Sequence, residues 1–208
     1  IKIPLSEPSF FFNEKKELIK CLEKKWISAS GFQVKNFENK IKKLIKAKYV
    51  LGIINCTASL QLAIKILKPK ENDEILVPSI TFIATVNSVL YNNCKPVFID
   101  CDRSLLIDIE KVKNFIEHET YYKNGNSYNK KTKKRVLSII VVHVFGNLVN
   151  LNKEFVKFCN SRNINIIEDA AESLGSKYLK SKKQPSTVGD IGCLSFNGNK
   201  ILTSGGGG

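Results

Sequence analysis

Lys200 closes a short polar turn, Ser195-Phe196-Asn197-Gly198-Asn199-Lys200, set between two apolar runs. A lysine projecting from such a turn into a site loses part of its hydration. Partial burial and neighbouring positive charge lower its pKa from ~10.4 and make the amine nucleophilic. Pointed at water, the same residue is only a solvated charge, and the chain holds 33 lysines and arginines. Asp169 lies in Ile167-Glu168-Asp169-Ala170-Ala171-Glu172-Ser173, where an apolar run ends and alanines permit close approach. A carboxylate there can pair with a cationic ring nitrogen, or it can cap a helix. Asn55-Cys56-Thr57-Ala58-Ser59 separates an apolar run from a helical pattern. Its hydroxyls and small residues leave N–H groups free at a helix N-terminus, an anion site suited to a phosphate. Plain capping by Thr57 or Ser59 is the alternative.

These residues depend on the elements around them. Leu18, Ile19, Leu22 and Trp26 recur at helical spacing over 13–25, as do Val34, Phe37, Ile41, Leu44 and Ile45 over 34–46. Further helices are predicted over 58–67 (stopped by Pro69), 81–91, 109–116 and 151–159. Short apolar runs predict strands over 49–54, 74–77, 96–99, 137–144, 164–167, 193–196 and 201–203. The polar stretch 121–135 lacks periodicity and reads as an exposed excursion. Apolar strands alternating with helices predict an α/β fold with a largely parallel sheet covered on both faces. Such sheets bind ligands beyond the carboxyl ends of their strands, which directs attention to 55–59, 79–82, 143–146, 169–173 and 195–200.

Composition narrows the function classes. A hydrophobic fraction of 43% and a charged fraction of 25% are ordinary for a soluble globular chain. No apolar run approaches the ~20 residues of a spanning helix, and the start lacks the order of a signal peptide, so the expected location is cytoplasmic. The cysteines at 21, 56, 94, 101, 159 and 193 form no Cys-x-x-Cys pair, and no metal site is expected. A net charge of +14 raises nucleic-acid binding, but the lysines are dispersed and no basic helix is interleaved with aromatics. Neither a nucleic acid nor a membrane is expected as a partner. There is no methionine, and the chain stops at Gly205-Gly206-Gly207-Gly208, so the natural protein is expected to extend further.

None of the three segments is specific alone; their order and spacing are. Together with Ile3-Pro4-Leu5, Ser30-Gly31, Pro78-Ser79-Ile80-Thr81-Phe82-Ile83-Ala84-Thr85, Pro96-Val97-Phe98-Ile99-Asp100, His143-Val144-Phe145-Gly146 and Gly189-Asp190-Ile191-Gly192, they run through essentially the whole chain. In this pattern the chain resembles the DegT/DnrJ-type nucleotide-sugar aminotransferases of the fold-type-I pyridoxal phosphate enzymes. Glu172 and the 121–135 stretch look most like the branch that makes 4-amino sugars for legionaminic acid and bacillosamine.

The resemblance implies a three-layer α/β large domain with a mixed, mostly parallel sheet. Residues 1–25 would be an N-terminal segment and 26–208 an incomplete pyridoxal-phosphate-binding domain, without its C-terminal small domain. Lys200 would hold pyridoxal 5'-phosphate as a Schiff base, then shuttle a proton, and Asp169 would keep the ring nitrogen protonated. Phe82, otherwise a core phenylalanine, would stack on the ring. Thr57, Ala58 and Ser195 would hold the phosphate, and Glu172 would lie beside the ring. His143 would sit at the edge of the site or serve as a structural histidine. The implied reaction moves an amino group, from L-glutamate, to a UDP-linked 2-acetamido-4-keto-6-deoxyhexose in glycan biosynthesis. Relatives that dehydrate sugars carry histidine in place of the lysine. The full-length protein would be a homodimer, and residues 1–208 alone would have little activity. The competing readings are an inactive basic scaffold of the same fold, or a cofactor-binding regulator.

Overall fold

A computed structural model of the chain describes residues 3, 7–10, 13–25, 28, 31–179 and 181–208. Pro4, Leu5, Trp26 and Ser30, used above, lie outside the described residues. In chain order the helices and strands are α1 (Glu14–Glu23), α2 (Phe32–Ile45), α3 (Cys56–Ile66), β1 (Glu74–Pro78), α4 (Ile83–Leu90), β2 (Lys95–Ile99), α5 (Ile109–His118), β3 (Thr120–Lys123), β4 (Asn126–Asn129), β5 (Val136–Val142), α6 (Lys153–Ser161), β6 (Asn165–Asp169) and β7 (Ile191–Cys193). Five strands form one sheet in the order β2-β1-β5-β6-β7, and all four pairings are parallel.

The continuous apolar runs are explained by burial on both faces. Side chains alternate along a strand. Leu76, Ile139, Val141 and Ile166 pack with Val112 and Ile116 of α5 and Phe155 of α6. Ile75, Val77, Ile140 and Ile167 pack with Leu60 and Ile64 of α3 and Val89 of α4 on the other face. The result is three layers, helix on sheet on helix. A smaller cluster joins Ile41 and Ile45 of α2 to Ala170, Leu174, Leu194 and Phe196, with the Phe37 and Phe196 rings edge-on at 4.8 Å. Helix α1 carries no buried residue.

Three predicted elements differ. Residues 49–54 form no regular element and join no sheet. Ile53 is held by reciprocal backbone hydrogen bonds with Gly208 at 2.8 and 2.9 Å, the Gly52 N–H donates to Glu38 Oε1 at 2.8 Å, and Asn55 forms a single bridge with Gly207. A strand needs a partner along its length, and these two glycines are short. Residues 201–203 form bends instead of a strand. Phe196 accepts from the Ser204 N–H and donates to Gly207 O, closing 197–206 into a loop, with Gly205 and Gly207 both at positive φ. Strand β7 begins earlier than predicted and stops at Cys193.

The 121–135 stretch is not structureless. It contains the antiparallel hairpin β3–β4, whose turn residues Asn124 and Gly125 have φ of 50° and 75°. Two positive φ values make the primed turn that Asn-Gly favours, and Tyr121 and Tyr128 stack across the strands at 5.7 Å.

The strand order reverses between β1 and β5. The chain runs outward from β1 to β2, then returns to the other side of β1 for β5, β6 and β7. Loops leaving β1 and β5 therefore diverge and open a crevice at the carboxyl end of the sheet.

Candidate active site

Four strand ends meet at that rim. Strand β6 ends in Asp169, whose side chain is buried with the residue 5% exposed. The Thr85 hydroxyl in the first turn of α4 donates to Asp169 Oδ2 at 2.8 Å, and the Ala171 N–H donates to Oδ1 at 3.2 Å. Thr81 Oγ1 lies 2.8 Å from Thr85 Oγ1, so a chain of hydroxyls leads from the β1 loop to the carboxylate. Burial raises the Asp169 pKa above its ordinary value of 3.8. The hydrogen bonds from Thr85 and Ala171 and the positive charge of Lys200 offset only part of that. Asp169 is a buried acid short of positive charge. Phe82, the N-cap residue of α4 three positions before Thr85, leaves its ring in the open, with 78% exposure. It is a displayed aromatic, not a core phenylalanine.

Lys200 lies at the end of the turn after β7. Its ammonium is 3.0 Å from Glu172 Oε1, and its side chain is 17% exposed. The amine is thus drawn onto the protein rather than into water. Glu172 Oε2 accepts from the Phe145 N–H at 3.1 Å. Phe145 itself has φ 53° and ψ 27°, a left-handed conformation inside the 3₁₀ turn that follows His143.

Asn55, not Thr57 or Ser59, caps α3: its side-chain oxygen accepts from the Ala58 N–H at 2.8 Å. Thr57 and Ala58 are half-buried in the first turn. Ser195 is buried just after β7, next to Phe196, which binds Gly207, which in turn bridges to Asn55. The α3 N-terminus and Ser195 are thereby held at one rim through Gly207. Cys56 is tuned by burial first and then by the Asp169 charge, both of which push its thiol pKa up, so it is not a nucleophile at neutral pH.

His143 is structural. Its Nδ1 accepts from the Val149 N–H at 3.1 Å, which leaves Nε2 to donate to Glu168 Oε2 at 3.0 Å. Glu168 also accepts from the N–H groups of Ser186, Val188 and Gly189 and from the Tyr178 hydroxyl. Sequence reasoning assigned no role to Thr81 and Thr85. Two threonines four apart at a helix start, after a strand, are the signal that marks them. Nothing local in the sequence marks Phe145 as strained.

Residues 12–208 match the model of a family described as the DegT/DnrJ/EryC1/StrS aminotransferase family. The chain is 35% identical to a GDP-perosamine synthase of Escherichia coli O157:H7, over 99% of this chain and 52% of that protein. It is 33% identical to a GDP-perosamine synthase of Vibrio cholerae, over 99% of this chain and 51% of the relative. Among solved structures, the E. coli GDP-4-keto-6-deoxy-D-mannose-3-dehydratase with bound hydrated PLP superposes with a TM-score of 0.84. That pair is 25% identical, over 100% of this chain and 50% of that one. The chain spans about half the length of the curated relatives it matches.

Proposed function

From the premise that the chain belongs to the DegT/DnrJ/EryC1/StrS aminotransferase family, we propose that the whole protein is a pyridoxal-phosphate-dependent transaminase of a nucleotide-linked keto-sugar. The carrying observation is an amine and a buried acid at one strand-end rim: Lys200 drawn to 3.0 Å from Glu172, and Asp169 buried with its pKa raised.

The residues fit the cofactor. A buried carboxylate with raised pKa gains most from a cationic N–H partner, which a pyridine ring supplies. The exposed Phe82 ring offers a flat face to an aromatic ligand. The α3 N-terminus, with Thr57 and Ala58 in its first turn and Ser195 nearby, suits a phosphate dianion. Lys200 is the primary amine that attaches an aldehyde covalently.

When bound, the cofactor supplies an electron sink for carbanion chemistry. The chain supplies everything else. Asp169 Oδ2, oriented by Thr85, holds a proton on a ring nitrogen. Lys200 Nζ, as a free amine, would move a proton between a substrate carbon and the cofactor carbon on the other side of the transferred nitrogen. Glu172 holds that amine on the rim between steps.

Amino transfer is favoured over dehydration because residue 200 is a lysine. L-Glutamate is the proposed donor. The proposed acceptor is a 4-keto-6-deoxy sugar on a nucleoside diphosphate. The UDP-linked 2-acetamido sugar read from Glu172 and the GDP-linked sugars in the relatives' names are the two forms to compare. A homodimer is proposed for the full-length protein, as are an N-terminal segment over 1–25 and a cofactor domain over 26–208. Among the described residues no helix is long and apolar enough to cross a membrane.

The test uses the protein with its whole natural chain. Incubated with pyridoxal phosphate, it is expected to develop a visible absorption band that Lys200→Ala lacks, and to form 2-oxoglutarate from glutamate beyond one equivalent of bound cofactor only when a nucleotide keto-sugar is present. Loss of water from the sugar without glutamate consumption would establish the dehydratase reading instead. A colourless protein would end both.

A further inference from the structure

We propose that Glu172 is a positioning residue whose carboxylate ties the amine of Lys200 to a strained turn at Phe145, so that the turn responds to whether that amine is free or covalently engaged. The proposal rests on the reading of Lys200 as the cofactor-bearing residue.

One carboxylate serves both partners. Oε1 is 3.0 Å from Lys200 Nζ, and Oε2 accepts from the Phe145 N–H at 3.1 Å. Phe145 is the only aromatic among the described non-glycine residues with positive φ. Its side chain is open to solvent, with 79% exposure, so packing does not impose this conformation. Hydrogen bonds do. Gly146 N–H donates to His143 O at 3.2 Å, and Ser176 Oγ donates to Gly146 O at 3.0 Å. Gly146 has φ 81°, and a Cβ there would stand 3.2 Å from the backbone oxygen of Glu172. The turn thus passes close to the backbone of residue 172, leaving little room for a side chain at position 146. A left-handed aromatic persists only where its surroundings over-determine it.

The two arms are coupled through rotation of one group. Condensation of a neutral Nζ amine with an aldehyde forms a C=N bond, releases water and leaves one proton at most on the nitrogen. A three-donor ammonium becomes a one-donor group, and the charge-assisted bond to Oε1 weakens or is lost. Glu172 is then free to turn, and the Phe145 N–H loses a fixed acceptor.

Hydrogen–deuterium exchange of the backbone amides 145–147, in the full natural chain with and without pyridoxal phosphate, tests this. In the unaltered protein, loading is expected to speed exchange at Phe145 several-fold. Glu172→Ala is expected to exchange about tenfold faster before loading, consistent with the loss of one hydrogen bond, and to show no further change on loading. Glu172→Gln has one acceptor oxygen and can serve one arm at a time, so loading is expected not to speed exchange at Phe145 whichever arm holds that oxygen first. An unchanged turn on loading the natural protein, or an equal response in Glu172→Ala, overturns the coupling. Borohydride reduction followed by peptide mass mapping separates the two readings. An adduct on Lys200 with an unresponsive turn removes only the coupling, whereas an adduct on another lysine removes the site assignment beneath it.

Discussion

Asp169 combines burial with an unmet demand for positive charge, and two measurements report on it. An acid whose pKa is raised on folding binds more protons in the folded chain than in the unfolded one. Stability is therefore lost as pH rises from the ordinary carboxylate value of 3.8 through the raised one. In thermal melts of the cofactor-free protein, Asp169→Asn is expected to lack this loss and to match or exceed the natural protein at neutral pH. With cofactor the order reverses. Asparagine cannot hold a ring proton by charge, and affinity measured by titration of the visible band is expected to fall on the order of 10- to 100-fold. Phe145 presents the opposite case, a residue held against its own preference. Asparagine tolerates the left-handed region, so Phe145→Asn is expected to gain about 0.5–1 kcal/mol in denaturant unfolding. The exposed ring forfeits little packing in exchange.

Helix ends and loops are held by a few Asx and carboxylate anchors. Asn55, Asp108 and Asn152 each cap a helix through the side-chain oxygen. Asn55→Ala is expected to cost about 1 kcal/mol in unfolding free energy and to weaken phosphate-dependent cofactor binding, because the cap also sets the direction of the α3 N-terminus. Glu168 anchors the segment after β6. Burial would raise its pKa, but the hydrogen bonds from His143, Gly189 and Val188 outweigh burial and leave it below 4.5. A carboxyl with a lowered folded pKa stabilises the protein above its unfolded value, and that stability is lost as pH falls through the folded one. Glu168→Gln is expected to unfold about 2–4 kcal/mol more easily at neutral pH, since its amide faces N–H donors that need an acceptor. The difference should shrink as the medium is acidified, which melts at several pH values would reveal.

The site as a whole depends on the reversal of strand order between β1 and β5. That reversal lets Thr85, in the helix after β1, reach Asp169 on β6 across the end of β5. The two-faced core holds this geometry rigid. Ile140 points into the α3–α4 face from the central strand and is fully buried. Ile140→Ala is expected to cost about 2–5 kcal/mol by transfer and cavity terms.

Much of this was legible along the chain. Period and composition separate helix from strand, because side-chain geometry repeats every 3.6 or every 2 residues and burial selects for it. The order of Thr57, Phe82, Asp169, Ser195 and Lys200 at predicted strand ends marked the carboxyl rim, because parallel sheets present their loops there. Hydrogen-bond partnership was not legible in this way. A strand at 49–54 was predicted from its apolar residues, yet a strand also needs a neighbour, and neighbours come from distant sequence. The hairpin in 121–135 was signalled by Asn124-Gly125 but obscured by its polar side chains. The sharing of Glu172 between Lys200 and Phe145, and the burial that raises the Asp169 pKa, arise where segments 27 or more residues apart converge. Such contacts and local dielectric belong to the assembled fold, since no short stretch of chain encodes the distance to a residue on another strand.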